Sequence, residues 1–176
     1  MVATTDSTDV NVNVACHLAR MAQAHPFKRA VVCPAGRDAA GRVAYAHLSF
    51  QQLDRESDQI AHGLLKTGIG LGTRTILMVR PGLDFFSLIF AIFKVGAVPV
   101  VVDPGMGVRR MLACFHSTRP QAFVGIPLAH AVRSVFRKAF KTVRYRVTVG
   151  HRWFWGGPTL TQLRAREWTP FAAART

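Results

Sequence analysis

The stretch from Arg80 to Pro104 limits what this chain can fold into more than any other. Pro81-Gly82 is a turn signal. Residues 83–95 then form an apolar block with almost no polar face. Gly96 stands where glycine is expected just past a helix end, and Lys94 falls in the last turn, where a cation suits the helix dipole. Residues 98–102 are a short β-branched run closed by Asp103-Pro104, which predicts a strand buried on both faces. A helix apolar all round, followed at once by such a strand, points to the middle of an α/β sheet. A membrane span is the competing reading, and it needs about 20 apolar residues in a row. Asp84, Ser87, Lys94 and Pro99 interrupt this stretch and the run 88–93 is far too short, which favours buried core.

The flanking chain supplies the neighbours of that unit. Residues 14–24 carry Val14, Leu18, Met21 and Ala22 at helical spacing, with Asn13 as N-cap and His25-Pro26 as the stop. Residues 29–33 predict a short strand, 34–42 a loop, and 43–48 the return strand of a hairpin. Ser49 and Gln52 fit a capping box, with Leu48 and Leu53 as the staple across it. The helix behind the box turns Leu53, Ile60, Ala61, Leu64 and Leu65 inward and Asp54, Arg55, Glu56 and Asp58 outward, and Gly68 closes it. Residues 74–79 form a second buried strand. Residues 108–117 are a helix with Met111, Leu112 and Phe115 on one side, and 121–125 a strand. Pro127 opens a helix with Leu128, Val132, Val135, Phe136 and Ala139 inward and Arg133, Arg137, Lys138 and Lys141 outward. Residues 144–149 are another strand, 151–158 a loop of exposed aromatics, 159–166 one short helix, and 168–176 no element.

The strand–helix alternation from 74 to 149 predicts parallel strands with right-handed crossovers. The expected fold is therefore α/β, a partial doubly wound, mostly parallel sheet with flanking helices. The expected organisation is a disordered tail at 1–13, one partial domain at 14–166 and a tail at 167–176.

The chain's 176 residues suffice for one domain, and a 49% hydrophobic content can fill its core. Charge is uneven. Residues 1–106 hold ten Lys/Arg against eight Asp/Glu, whereas 107–176 hold thirteen against Glu167 alone. A basic half suits nucleic acid, an anionic membrane or an acidic neighbour. Cys16, Cys33 and Cys114 show no metal-ligand spacing, and an odd, sparse count suits a reducing cytoplasm. The first thirteen residues lack the basic and apolar regions of a signal peptide.

This order of motifs resembles the N-terminal part of the adenylate-forming (AMP-dependent synthetase and ligase) superfamily. Residues 48–54 (Leu-Ser-Phe-Gln-Gln-Leu-Asp) match its first core motif. Ile60 to Leu64, then Gly68 to Arg74, match the helix and turn behind it, and Phe93 to Pro104 its second core motif. The wording at Met78 to Pro81, Val102 to Gly105 and Phe123 to His130 is most similar to the bacterial β-lactone synthetase branch of olefin biosynthesis. The resemblance covers roughly residues 14–165. It implies an AMP-forming acyl ligase as parent, acting on a long-chain fatty or β-hydroxy acid with ATP and Mg. It also implies a family phosphate loop ending in Pro-Lys-Gly, a ribose-holding aspartate and a C-terminal catalytic lysine, none of which occurs in this sequence. Gly68 to Gly72 lacks the Lys-Ser/Thr of a phosphate loop and reads as a cap plus turn. The chain thus resembles a truncated or split product, inactive alone, whose partners are the missing remainder of the ligase or enzymes of the olefin pathway. Marginal stability follows, since the apolar stretch at 85–103 needs cover on every side.

No catalytic, cofactor-binding or metal-ligating residue is assigned. The seven histidines have no Cys, Asp or Glu at ligand spacing. Asp84, in the first turn of its helix, and Asp103, at a strand end, are read as structural. His130 is read as packing, for want of a visible partner. Arg133, Arg137, Lys138, Lys141, Arg144, Arg146 and Arg152, with Trp153, Phe154 and Trp155, form the best nucleic-acid-like patch. No nucleic-acid motif accompanies them, so a solvated or interdomain face is preferred. The alternative function is a basic non-enzymatic binding module for a polyanion, a membrane surface or an acidic partner.

Overall fold

The structure, a computed structural model, describes residues 13–102, 105, 107–165 and 168–175. Expectations for residues 1–12, Asp103, Pro104, Met106, Arg166, Glu167 and Thr176 lie outside these.

Helix α1 (Ala15–Ala24) starts one residue later than expected, with Val14 and not Asn13 at the N-cap position. The Asn13 side chain accepts from the Ala15 N–H at 3.0 Å. Its amide also donates to the Phe93 and Ala174 carbonyls at 2.8 and 2.9 Å, so one buried residue ties three segments together. Strands β1 (Arg29–Arg37) and β2 (Val43–Ser49) form the antiparallel hairpin. β1 runs four residues beyond its expected end, up to a turn centred on Asp38, whose carboxylate accepts from the Ala40 and Arg42 N–H groups at 2.9 Å each.

Helix α2 (Phe50–Thr67) opens on the expected capping box. The Gln52 N–H donates to Ser49 Oγ at 3.3 Å, and the Ser49 N–H donates to Gln52 Oε1 at 2.9 Å. Leu48 and Leu53 pack in one cluster with Leu18, as the staple requires. Gly68 closes the helix at φ +92°. Two expectations fail on α2. Leu65 is exposed, and Asp58 is buried.

The main sheet holds β3 (Arg74–Met78), β4 (Val98–Val100), β5 (Ala122–Gly125) and β6 (Tyr145–Thr148), all parallel in the order β4-β3-β5-β6. Its crossovers are α3 (Leu83–Lys94), α4 (Val108–Thr118) and α5 (Pro127–Val135), and α6 (Leu160–Arg164) follows. Glycine ends α3 as expected. Gly96 sits at φ +69°, with its N–H on the Phe93 carbonyl and the Ala97 N–H on that of Ile92. The strand after it departs from expectation. β4 is three residues long and lies at a sheet edge, not its centre, with Val98 and Val101 exposed. Pro99 gives the reason: it has no N–H for a second neighbour, and proline in sheets is confined to edges. The central strands are β3 and β5.

Side chains alternate across those strands. Leu77, Ala122, Val124 and Val147 meet α2, α3 and α6 through Ile60, Leu64, Leu88, Ile92 and Leu163. Ile76 and Phe123 point the other way, to Met111 and Phe115 of α4, Ala129 of α5 and Phe140. Residues 168–175 carry no helix or strand, yet Phe171 packs on the first of these clusters and the Ala174 N–H donates to the Lys94 carbonyl at 2.8 Å.

Helix α5 corrects another expectation. It ends at Val135, and it buries Ala129 and His130, whereas Leu128, Val135 and Phe136 are exposed. Among the described residues no helix is long and apolar enough to cross a membrane.

Candidate functional site

Two adjacent strands send their following helices to opposite faces of the sheet. β3 leads into α3 on one face, and β5 leads into α5 on the other. A crevice opens at the carboxyl ends of such a pair, the usual ligand position in open α/β sheets. Here it has a volume of about 370 Å³ and is lined by Val79 to Asp84 after β3, Ile126 after β5 and Val149 after β6.

Its polar equipment is sparse. Arg80 is exposed at its rim. Asp84 stands in the first turn of α3, as expected, but its carboxylate lies 2.8 Å from the Arg164 guanidinium. That guanidinium also donates to Glu56 Oε2 at 2.9 Å, and the Ser87 hydroxyl donates to the same oxygen at 2.9 Å. The network pins α2, α3 and α6 together. The crevice offers shape, with one cation and one carboxylate at its edge and, among the described residues that line it, no nucleophile beside a base.

The densest ionic site lies elsewhere, between α2 and α3. Lys94 is fully buried. Its ammonium donates to Asp58 Oδ1 at 2.5 Å, to Asp54 Oδ1 at 2.7 Å and to the Asp54 carbonyl at 3.0 Å. The other Asp58 oxygen accepts from the Trp168 indole at 3.2 Å, and Arg55 lies over that indole ring at 5.0 Å. Burial raises the Asp58 pKa, and the Lys94 ammonium opposes that without overcoming it. All three donors of Lys94 have acceptors, so the group is bound and not poised for chemistry. Helical periodicity predicts Asp54 and Asp58 outward and Lys94 at a dipole-facing end. The signal that could have corrected it is the i, i+4 spacing of two acids on one face, which are neighbours and repel unless a cation lies between.

His130 is buried where β5, β6 and the loop after β6 converge. Its Nε2 lies 3.1 Å from the Val147 carbonyl, so Nε2 carries the proton and Nδ1 is a bare acceptor with no hydrogen-bond partner among the described residues. Trp155 stacks on the ring at 5.0 Å and 7°, and Phe123 meets it edge-on at 4.8 Å. The indole N–H of Trp155 donates to Thr148 Oγ1 at 2.9 Å. Burial above all, with the Arg133 and Arg146 charges, lowers the His130 pKa to about 4. It is a neutral core residue at pH 7.

The anticipated basic face divides. Arg137, Lys138 and Lys141 gather with His116 and Arg119 of the α4 end, which the sequence reading missed, around a cleft. Arg133 lies near enough to Arg146 and Arg137 for both charges, after burial, to lower its pKa. Trp153 and Phe154 are exposed, but Trp155 is buried against His130, so the aromatic run is not one stacking platform.

The described residues do not fit a nucleotide–magnesium complex. Every described acid is engaged: Asp38 with Arg42, Asp54 and Asp58 with Lys94, Glu56 and Asp84 with Arg164. Among the described residues no three metal-ligating side chains converge.

The profile of the family described as "AMP-binding enzyme" matches residues 18–161. An olefin beta-lactone synthetase of Xanthomonas campestris pv. campestris is 49% identical over 152 residues, 86% of this chain and 27% of that protein. The olefin beta-lactone synthetase of Stenotrophomonas maltophilia is 49% identical over 153 residues, again 86% of this chain and 28% of that protein. The chain thus spans about a quarter of the length of these relatives. Among solved structures, a long-chain-fatty-acid-CoA ligase from Archaeoglobus fulgidus superposes with a TM-score of 0.76 at 15% identity, covering 94% of this chain and 32% of that one. An anthranilate CoA ligase bound to anthranoyl-AMP superposes with a TM-score of 0.73 at 17% identity, covering 93% and 30%.

Proposed function

This chain belongs to the AMP-binding enzyme family, and we propose that it is the N-terminal scaffold portion of an AMP-forming acyl ligase of the olefin β-lactone synthetase kind. The observation that carries this reading is 49% identity to two such synthetases over 86% of the chain. The reaction of the whole ligase would be ATP- and Mg-dependent activation of a long-chain fatty or β-hydroxy acid. For a β-hydroxy acid, the hydroxyl would then attack the acyl carbon and expel AMP, closing a β-lactone. The residues present contribute the sheet and the α2–α3 pair, locked by Lys94 and Arg164. No catalytic, nucleotide-binding or metal-binding residue is placed in this chain, and it is inactive alone. Its partner is the remainder of the ligase, in the cytoplasm. Three free cysteines, with no disulfide among them, support that compartment.

A basic binding module has less support. The cationic residues and the aromatics do not form one face, and the family match covers them.

Pyrophosphate exchange with a long-chain β-hydroxy acid tests the reading. The purified chain gives none, and adding the polypeptide that completes the relatives' length restores it. Exchange by the chain alone would overturn the scaffold role.

A further inference from the structure

Residues 107–165 contain no aspartate or glutamate, and one group of their cations gathers at a single end of the sheet. Phe115, near the end of α4, and Phe140, in the turn before β6, are both buried, with ring centroids 5.3 Å apart. That contact brings their polar neighbours together, His116 and Arg119 from one segment, Lys138 and Lys141 from the other, around a cleft of about 350 Å³. An adjoining hollow shares His116, Lys138 and Lys141 and is bordered by Arg137. The cleft lies at the amino ends of β5 and β6, whereas the crevice at Val79 to Asp84 lies at the carboxyl ends. Both segments are fixed. The Thr142 hydroxyl donates to the Pro120 carbonyl at 2.6 Å, and the Arg74 guanidinium donates to the Arg119 carbonyl through Nε and Nη2 at 3.3 Å each.

No described carboxylate answers this charge. Asp38 pairs with Arg42, Asp54 and Asp58 with Lys94, and Glu56 and Asp84 with Arg164. The carboxyl end of α4 supplies about half a negative charge, against four permanent cations. A cleft lined by one sign of charge focuses its field and concentrates counter-ions. Arginine and lysine here present only N–H donors, and the Thr142 hydroxyl is turned to the protein. A ligand met by donors is rich in acceptor oxygens, and both cations suit phosphate. The volume fits a small anion, and among the described lining residues no Phe, Tyr or Trp offers a base a stacking surface. We propose that this cleft binds an oligophosphate, held by the guanidinium groups of Arg119 and Arg137, the ammonium groups of Lys138 and Lys141 and the His116 imidazole. The site stands on this chain's own charges and does not depend on the scaffold reading.

Calorimetry of the full chain with tripolyphosphate in about 0.15 M salt should show one site per chain, with inorganic monophosphate weaker by about tenfold. Lys138→Gln with Lys141→Gln, at exposed positions, should leave the melting temperature unchanged and weaken binding by about tenfold or more. Arg20→Gln with Lys66→Gln removes the same charge from exposed positions on α1 and α2 and should change binding by less than about twofold. A footprint needs no variant. Tripolyphosphate should protect Lys138 and Lys141 from acetylation, read by mass spectrometry, and leave the exposed Lys28 and Lys66 labelled as before. No binding at that salt, equal weakening by the two pairs of substitutions, or equal protection of all four lysines overturns the proposal. Vesicles of phosphatidylglycerol separate the two sources of phosphate. Sedimentation with them that tripolyphosphate displaces, and that Lys138→Gln with Lys141→Gln abolishes, keeps the cleft and assigns it a lipid headgroup. Tripolyphosphate binding without such sedimentation keeps it for a free oligophosphate.

Discussion

Lys94 Nζ lies 2.5 Å from Asp58 Oδ1, with both side chains out of solvent and 36 positions apart in the chain. This contact joins the helix of the first core motif to the helix of the second. A buried pair of this kind adds little over an apolar replacement, but removing one partner strands a charge, at a cost of about 3–5 kcal/mol. Lys94→Met should therefore destabilise the chain by about that amount in urea unfolding, because Asp58 loses its cation and Asp54 remains beside it. Lys94→Met combined with Asp58→Leu should be less destabilised than Lys94→Met alone. A cost below about 1 kcal/mol for the single variant would show that the pair does not form in solution.

His130 makes stability depend on pH. Its pKa is lowered from 6.5 to about 4, so the unfolded chain binds the proton more tightly than the folded one. The contribution is complete above pH 6.5, declines as pH falls towards 4, and is gone below it. At 1.36 kcal/mol per pH unit it amounts to about 3 kcal/mol at most. His130→Phe keeps a ring against Trp155 and removes the titration. It should lower stability at pH 7, by about 0.5–1.5 kcal/mol for the lost hydrogen bond to the Val147 carbonyl. It should also flatten the melting temperature profile between pH 4 and 6.5 relative to wild type. Parallel profiles for the two proteins would show that His130 is accessible to solvent.

Gly63 lets α6 seat on α2. A Cβ there would stand 2.8 Å from Leu163 Cδ2 and 3.2 Å from the Leu163 Cα, so backbone as well as side chain would have to move. Alanine gains up to about 1 kcal/mol in helix propensity over glycine. Gly63→Ala should nevertheless destabilise by roughly 1–3 kcal/mol, as overpacking does. Thermal melts decide it, and a stabilised Gly63→Ala protein would mean that α6 does not pack on α2.

The predicted elements and the observed ones agree best where a signal is local. The Ser49 box, the Gly68 and Gly96 closures and Pro127 at a first turn each rest on residues within a few positions of one another. Backbone donors at helix ends and left-handed turns are satisfied within one turn of chain, so the sequence shows them directly. Pro99 belongs with these signals. It marked an edge strand that the β-branched run around it concealed.

The sequence by itself determined the elements, their order, the α/β class and the family motifs. Only the tertiary structure decided which faces the helices bury. Asp58 goes inward because its cation lies 36 residues away, a distance no periodicity reports. α5 buries Ala129 and His130 because both of its sides are apolar and the sheet accepts only one. An amphipathic pattern says that a face must be covered; what covers it depends on contacts that are distant along the chain.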